Sequence, residues 1–485
     1  MITTSPLAGR GRLVPAPAFR VAAALLLLAA TAFDVSPLVA QTRPAPPPAD
    51  TVRLSLGDAV ETALRTSDEV MLASAQTEVA DAQVTVARAS ALPQLRINST
   101  YNRAFESARA NAVGQLFNQP ETYTATLNVS QSLFQGGRLR AANRAATSAR
   151  SASRLEAEET RAVVGMQVQR AYLGALLAER VVAIQAGNVA LAAARVEQVE
   201  QLQRAGRAAR YDLLRARVER ANLEPLLIDA RNARELALLD LKRLLNLPVE
   251  RPLTLTTTID SATAVRLADA LSGASGAADR PAVRAAEEDV RARREGVRVA
   301  RADLLPTVGL SFQSGFQAFP PRGSGFPTTR GFTSSSFCAN PTGTQVCQNG
   351  GWFEDRSAGL TISIPVFDGL RAKGNIDLAQ AQQQLAEVQL RQTRERVTVE
   401  VASARAELER ARSDFAARGQ TTAEAREAFE LATLRFSRGL STQLEVSDAQ
   451  LALLTAQTGE ARATVDLYLA AAELARALGR PLPLP

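Results

Sequence analysis

The chain has 485 residues, and its 56 lysines and arginines against 49 acidic residues give a net charge of +7. It contains no histidine, the commonest general base and metal ligand, so most hydrolase and zinc-site chemistry is excluded. Basic and acidic residues are interleaved and aromatic residues are sparse, which argues against a nucleic-acid groove.

The N-terminal residues have the order of a secretory signal. Arginines precede an apolar run from Val21 to Ala30, and small residues follow that run. The run is about ten residues long, whereas a helix needs roughly 20 to span a bilayer. We therefore predict a signal peptide at residues 1–40 and a proline-rich leader at residues 41–53. No later apolar run looks long enough for a transmembrane helix, so a membrane role would have to use strands.

Residues 54–246 form the first of two predicted repeats, with the order helix, strand, strand, very long helix, turn, helix. The spacing of apolar residues predicts an amphipathic helix over residues 54–91, ended by a Leu-Pro dipeptide. Strands are predicted at about 94–105 and 122–134. The segment from 138 to 205 contains no proline, and roughly 68 helical residues make a rod on the order of 100 Å.

Motifs recur in the same order later in the chain, at two separations that differ by 20 residues, which indicates a duplication. Leu92 and Pro93 are echoed by Leu305 and Pro306, 213 positions on. Gly206 is echoed by Gly439, 233 positions on. The second copy therefore carries an insertion.

The second predicted repeat covers residues 280–483 and follows an irregular inter-repeat segment at residues 247–279. Its strands are predicted at about 306–318 and 353–367, and its long helix from 371 to 438. The insertion between the strands, residues 319–351, is rich in Gly, Pro, Ser and Asn and reads as an extracellular loop. It holds Cys338 and Cys347, for which a disulfide and two free thiols are both open.

The predicted strands alternate apolar and polar residues over about ten positions, the length that a tilted strand needs to cross a bilayer. Such alternation also fits a soluble sheet with one buried face. Four strands cannot close a barrel by themselves. The predicted helices are too long to cover them compactly, which argues against the soluble sheet.

The opening Leu54-Ser55-Leu56-Gly57-Asp58-Ala59, the Leu-Pro junctions and the glycine-marked strand exits and helix turns resemble the TolC-like outer-membrane efflux family. The resemblance implies a mainly α protein with a membrane β-barrel, in which a homotrimer closes a twelve-stranded barrel on an α-helical barrel. It implies a passive exit duct in the outer membrane, with the helical part in the periplasm, serving a tripartite efflux or type I secretion system.

The implied partners are a periplasmic adaptor, an inner-membrane transporter of the RND, ABC or MFS class, and outer-membrane lipid. Neither nucleic acid nor a cofactor is expected, and we do not expect an enzyme. The alternative is an exported coiled-coil scaffold without a pore. That scaffold predicts sustained heptads, whereas the apolar spacing of this chain drifts.

By the same resemblance, the two turns between long helices are tips that dock the adaptor. The candidate docking residues are Gly206, Arg207, Gly439, Leu440 and Ser441. A glycine after a long helix is equally a helix stop, because it tolerates the left-handed conformation.

The resemblance also places a pore constriction just beyond each turn. Glu445 and Asp448 are three residues apart and share a helix face, so a trimer would carry a ring of their carboxylates. The sequence from Thr442 to Glu445 equally has the form of a capping box. Tyr211 and Asp212 match the constriction in the first copy, and Asp212 equally suits a first helical turn.

Overall fold

In a computed structural model of the chain, the described residues are 52–106, 121–258, 260–273, 280–320, 326–327 and 352–482. The predicted signal peptide, Cys338 and Cys347 lie outside the described residues. So do most of the predicted leader and most of the predicted loop at 319–351.

The described residues are mainly helical. The helices are α1 (Leu56–Thr66), α2 (Asp68–Ala89), α3 (Arg138–Arg204), α4 (Arg210–Leu244), α5 (Ser261–Ser272), α6 (Pro281–Arg301), α7 (Arg371–Ser437) and α8 (Gln443–Ala477). Helices α3 and α7 each have 67 residues, and α4 and α8 each have 35. At 1.5 Å per residue, α3 and α7 are each about 100 Å long. The matching lengths agree with a duplicated unit.

The strands form two separate sheets. They are β1 (Val52–Leu54), β2 (Gln94–Arg103), β3 (Glu121–Gln135), β4 (Leu253–Leu255), β5 (Thr307–Ala318) and β6 (Trp352–Ser363). Strands β1 and β4 form a parallel pair, and the other four form an antiparallel sheet in the order β2-β3-β5-β6. Within the described residues this larger sheet does not close, so β2 and β6 are open edges.

One face of the four-stranded sheet is apolar and exposed. Leu95 and Ile97 on β2 are 66% and 80% exposed, and Leu360 and Ile362 on β6 are 61% and 62% exposed. Polar residues alternate with them and lie on the opposite face. Exposed apolar area in water is unfavourable by about 25 cal/mol per Å², so this face requires a covering that the described residues of one chain do not supply.

The long helices pack side by side. Nearest the sheet, the helices in contact follow the order α2-α3-α6-α7, and farther from it the order is α4-α3-α8-α7. Thus α3 lies in the middle of the layer along its whole length. Helix α7 lies at one edge, and α2 and then α4 lie at the other.

The hydrophobic core lies where α1, α5 and the β1–β4 pair pack on the middle of the long helices. Tyr172 of α3 is fully buried there. Its hydroxyl donates a hydrogen bond to the Leu54 carbonyl at 2.8 Å and accepts one from the Thr257 N–H at 3.2 Å. The tyrosine therefore ties α3 to β1 and to the segment just after β4.

An ionic cluster joins four helices beside this core. The Arg280 side chain, at the start of α6, is 5% exposed and lies 2.6 Å from Glu159 of α3. It also pairs with Glu400 of α7. Arg476 of α8 lies 3.6 Å from Glu159, 3.5 Å from Glu400 and 2.6 Å from Glu473. The cluster fixes the end of α8 against the start of α6.

Two parts of the predicted secondary structure require correction at the first helix. The helix predicted over 54–91 is two helices, because Ser67 is extended at φ −67° and ψ 131° and separates α1 from α2. Residues 52–54, assigned to the leader and the first residue of that helix, form β1. The apolar pattern continues across Ser67, so it gave no sign of the break.

Two further corrections concern the second half of the chain. The inter-repeat segment predicted to be irregular contains β4 and α5, whose N-cap Asp260 accepts a hydrogen bond from the Thr263 N–H at 2.8 Å. The strand predicted over 353–367 ends at Ser363, opposite Thr307, the first residue of β5. Pro306 and Pro365 flank this last pair, and a proline has no N–H to extend the ladder.

The expectation that no segment after the signal is apolar enough to span a membrane does not hold for α3. Helix α3 passes that test by length and composition alone. It contacts α2, α4, α6 and α8 along its length. We therefore interpret it as a helix of the packed layer.

Candidate functional site

The first predicted tip joins α3 to α4 through a Schellman motif. Gly206 has φ +69°, and its N–H donates to the Gln203 carbonyl at 2.9 Å. The Arg207 N–H donates to the Leu202 carbonyl at 2.8 Å. A Cβ on Gly206 would meet nothing within 4 Å, so the left-handed backbone alone accounts for the glycine.

The second predicted tip repeats this geometry between α7 and α8. Gly439 has φ +74°, and its N–H donates to the Phe436 carbonyl at 2.9 Å. The Leu440 N–H donates to the Arg435 carbonyl at 2.9 Å. Leu440 is 67% exposed and Ser441 is half-buried. Both tips are therefore the same backbone turn carrying different side chains.

Tyr211 and Asp212 lie in the first turn of α4. The Asp212 carboxylate accepts a hydrogen bond from the Ala209 N–H at 3.1 Å, so it satisfies a free donor at the helix start. Tyr211 is 69% exposed. Asp212 thus has a structural role at the N-terminus of α4.

Glu445 makes half of the predicted capping box. The Thr442 hydroxyl accepts a hydrogen bond from the Glu445 N–H at 3.4 Å. The reciprocal bond, present between Ser55 and Asp58 in α1, is absent from α8. The Glu445 carboxylate instead lies 3.8 Å from the Arg435 guanidinium of α7.

Asp448 lies on the wall of a groove between α4 and α8, above α3. The groove encloses about 410 Å³. Arg215 and Glu219 contribute charged side chains to its wall, and Leu223 and Leu451 contribute apolar ones. Glu445 and Asp448 therefore have different neighbours, although three residues separate them on one helix.

Polar contacts around this groove were not found by sequence reasoning. The Ser447 hydroxyl donates to Glu219 at 2.8 Å, and the Gln450 amide donates to Asn188 at 3.4 Å. Gln443 is 6% exposed, and neither of its side-chain polar atoms has a hydrogen-bond partner among the residues that the structure describes. These contacts are hard to predict from sequence. Where the apolar spacing of a helix is irregular, a buried polar residue cannot be told from a solvent-exposed one.

Arg195 adds a half-buried charge near the same end of α3. Its guanidinium lies 5.6 Å from the centre of the Phe436 ring. Burial lowers the pKa of Arg195, and the Glu219 carboxylate opposes that shift. The arginine stays charged, because even a lowered arginine pKa lies far above neutrality.

The described residues offer no metal site. No group of three or more His, Cys, Asp or Glu side chains among them is arranged to hold an ion. The polar face of the large sheet carries hydroxyl and amide side chains, with Arg96 and Asp355 as its charged residues in the strands.

The chain matches the profile of a family described as outer membrane efflux protein, over residues 59–247 and 275–480. The pyoverdine export outer membrane protein OpmQ of Pseudomonas putida is 27% identical over 449 residues, which are 87% of this chain and 85% of that protein.

Two solved structures share the fold. The outer membrane protein VceC of Vibrio cholerae has a TM-score of 0.68 at 22% identity, covering 88% of this chain and 96% of that one. The Campylobacter jejuni CmeC outer membrane channel has a TM-score of 0.69 at 18% identity, covering 87% and 85%.

Proposed function

This chain belongs to the outer membrane efflux protein family, and we propose that it is the passive exit duct of a tripartite efflux or type I secretion system. It is located in the outer membrane, with its helical part in the periplasm. The observation that carries the proposal is a sheet with an exposed apolar face and two open edges, attached to helices about 100 Å long.

A homotrimer would complete this sheet. Strands β2 and β6 run antiparallel to each other across four strands, so β6 of one copy can pair with β2 of the next. Three copies then give a closed barrel of twelve strands, which has no edge. The apolar face would lie against outer-membrane lipid, and the polar face would line the lumen.

The two tips would dock a periplasmic adaptor, which connects the duct to an inner-membrane transporter of the RND, ABC or MFS class. Gly206, Arg207, Gly439, Leu440 and Ser441 are the proposed docking residues. The identical turns at both tips support two related seats per copy.

Asp448, Glu445, Asp212 and Tyr211 remain the proposed constriction. Asp448 is the strongest of the four, because it is exposed and has neither a capping bond nor an ion pair to another described residue. Asp212 caps α4 and Glu445 pairs with Arg435, so their carboxylates are already engaged.

A planar-bilayer recording with cation and anion gradients tests the duct. We expect small, cation-selective and mostly closed openings. Asp448→Ala should raise the conductance, while Asp229→Ala, an exposed carboxylate on α4, should leave it unchanged. Unchanged conductance and selectivity in Asp448→Ala would remove Asp448 from the constriction.

A silent bilayer with a well-folded, water-soluble protein would instead support the pore-free scaffold.

Cys338 and Cys347 are proposed as one disulfide in the extracellular loop. The mass of the intact chain before and after reduction, with thiol labelling, tests that pairing.

A further inference from the structure

The two tips share a backbone and differ in charge. We define the first tip as residues 194–218 and the second tip as residues 427–451, each centred on its turn glycine. The first tip has six arginines and three acidic residues, so its net charge is +3. The second tip has two arginines and four acidic residues, so its net charge is −2. Because both turns use the same hydrogen bonds, the backbone does not dictate either charge.

The difference is concentrated at positions that correspond in the duplication. Three arginines of the first tip correspond to a leucine, a glutamine and an aspartate in the second tip, 233 positions later. The pairs are Arg207 with Leu440, Arg210 with Gln443, and Arg215 with Asp448.

The second tip neutralises part of its charge internally. The Arg435 guanidinium lies 3.8 Å from Glu445 and donates to the Leu440 carbonyl at 3.4 Å. In the first tip, Arg207 and Arg210 are exposed, and neither has an ion pair with another described residue. The first tip therefore presents two unpaired cations at the end of the helix layer.

The position of Arg210 is unfavourable for its own helix. It is the first residue of α4, where the aligned peptide dipoles already place positive charge. Asp212 offsets that charge by accepting from the Ala209 N–H. A cation at this end disfavours the helix and suits a site that attracts anions.

We propose that the first tip is a docking surface for carboxylates, supplied by aspartate or glutamate side chains at the end of a partner hairpin. The partner is the periplasmic adaptor, so this inference rests on the proposed function. The second tip presents the exposed Leu440 and no unpaired arginine corresponding to Arg207, so it takes a less acidic surface. Around a trimer the first and second tips alternate, and one ring of adaptor molecules contacts both.

The test uses two synthetic helical hairpins as probes, identical except that one has glutamates and the other glutamines at the turn. Binding to the purified trimer in detergent is measured by fluorescence anisotropy at about 0.05 M salt. Two exposed charge pairs give roughly a five-fold preference for the glutamate hairpin. The preference should disappear near 1 M salt, where the screening length is about 3 Å.

Matched variants locate the effect. Arg207→Gln combined with Arg210→Gln should remove the preference, and the corresponding double lysine variant should retain it. Arg438→Gln, which removes an exposed arginine from the second tip, should leave it unchanged.

Equal affinity of the two hairpins for the unmodified trimer, or no binding of either, overturns the proposal. Dissociation of the double glutamine variant into monomers on size exclusion also overturns it, because the arginines would then hold neighbouring copies together. Single-channel recording on the same samples distinguishes failure of the docking proposal from failure of the proposed duct function. A conducting trimer without the preference refutes only the docking surface, whereas a trimer that does not conduct refutes the duct itself.

Discussion

Replacing Arg280 by methionine should destabilise the helix layer, because Arg280 holds α3, α6 and α7 together from a buried position. Removing one partner of a buried ion pair typically destabilises a protein by about 3–5 kcal/mol. The two partners here are partly hydrated, since the Glu159 side chain is 19% exposed and that of Glu400 is 32% exposed. Arg476 also remains near both carboxylates. We therefore expect a loss of about 2–3 kcal/mol, below the typical range.

Thermal unfolding of the detergent-solubilised protein, followed by circular dichroism of the helices, measures this loss. With an unfolding entropy of about 2.1 cal/mol/K per residue, a chain of this length loses roughly 1 °C of Tm per kcal/mol. Arg280→Met should therefore lower the Tm by about 2–3 °C. Arg410→Met serves as the control, because Arg410 and Glu407 form an exposed pair within α7 and should not affect the Tm measurably.

A double-mutant cycle with Glu159→Gln shows whether the contact itself is responsible. The two substitutions should be non-additive by about 1 kcal/mol or more, since each removes the same interaction. Additive effects, or a Tm for Arg280→Met equal to that of the control, would refute the assignment of Arg280 as the residue that joins these helices.

Two further predictions concern a tip and the ionic cluster. Gly206→Ala should destabilise the protein by about 1 kcal/mol, because alanine is strained at positive φ, whereas Gly187→Ala inside α3 should stabilise it by up to about 1 kcal/mol in the same melting experiment. Equal effects would contradict the backbone argument. Burial raises the pKa of Glu400, but its arginine partners outweigh burial and hold the net pKa below the ordinary 4.5. Its stabilisation is therefore present above pH 4.5 and lost as the pH falls through the lowered pKa, so the Tm gap between the unmodified protein and Glu400→Gln should shrink on acidification. A gap that widens on acidification would contradict that sign.

The sequence predicted the long helices well, because their limits depend on local chemistry. Helix α3 ends one residue before the predicted limit, and so does α7, since a glycine with positive φ follows each. The four strands of the large sheet alternate over ten or more residues, which is enough for the pattern to be recognised.

The same reasoning did not predict the short strands or the break between α1 and α2. Strands β1 and β4 have three residues each, too few for alternation to be distinguished from chance. Their pairing joins residues about 200 positions apart, and no local pattern encodes such a contact. The break at Ser67 also left no mark on the apolar pattern, because the buried residues of α1 and α2 continue at helical spacing across it.

The candidate site was predictable in its backbone and much less so in its contacts. The turn glycines made both tips recognisable in the sequence. The ion-pair partner of Glu445 was not recognisable, because it is an arginine on the preceding helix. The groove beside Asp448 is formed by the consecutive helices α3 and α4 together with α8, and the Ser447–Glu219 contact across it joins residues 228 positions apart. Charge at the tips was visible in the sequence, but its pairing required the positions of the side chains.

The equal lengths of α3 and α7 restrict how this protein can be altered. Inserting one residue into α3 would move the first tip by 1.5 Å along the helix and rotate it by about 100° relative to the second tip. The two tips would then no longer lie at the same height, and a partner ring could not contact both of them. Insertions or deletions are therefore expected to survive in matched pairs, one in each long helix, and preferably as multiples of seven residues that nearly preserve the packing face.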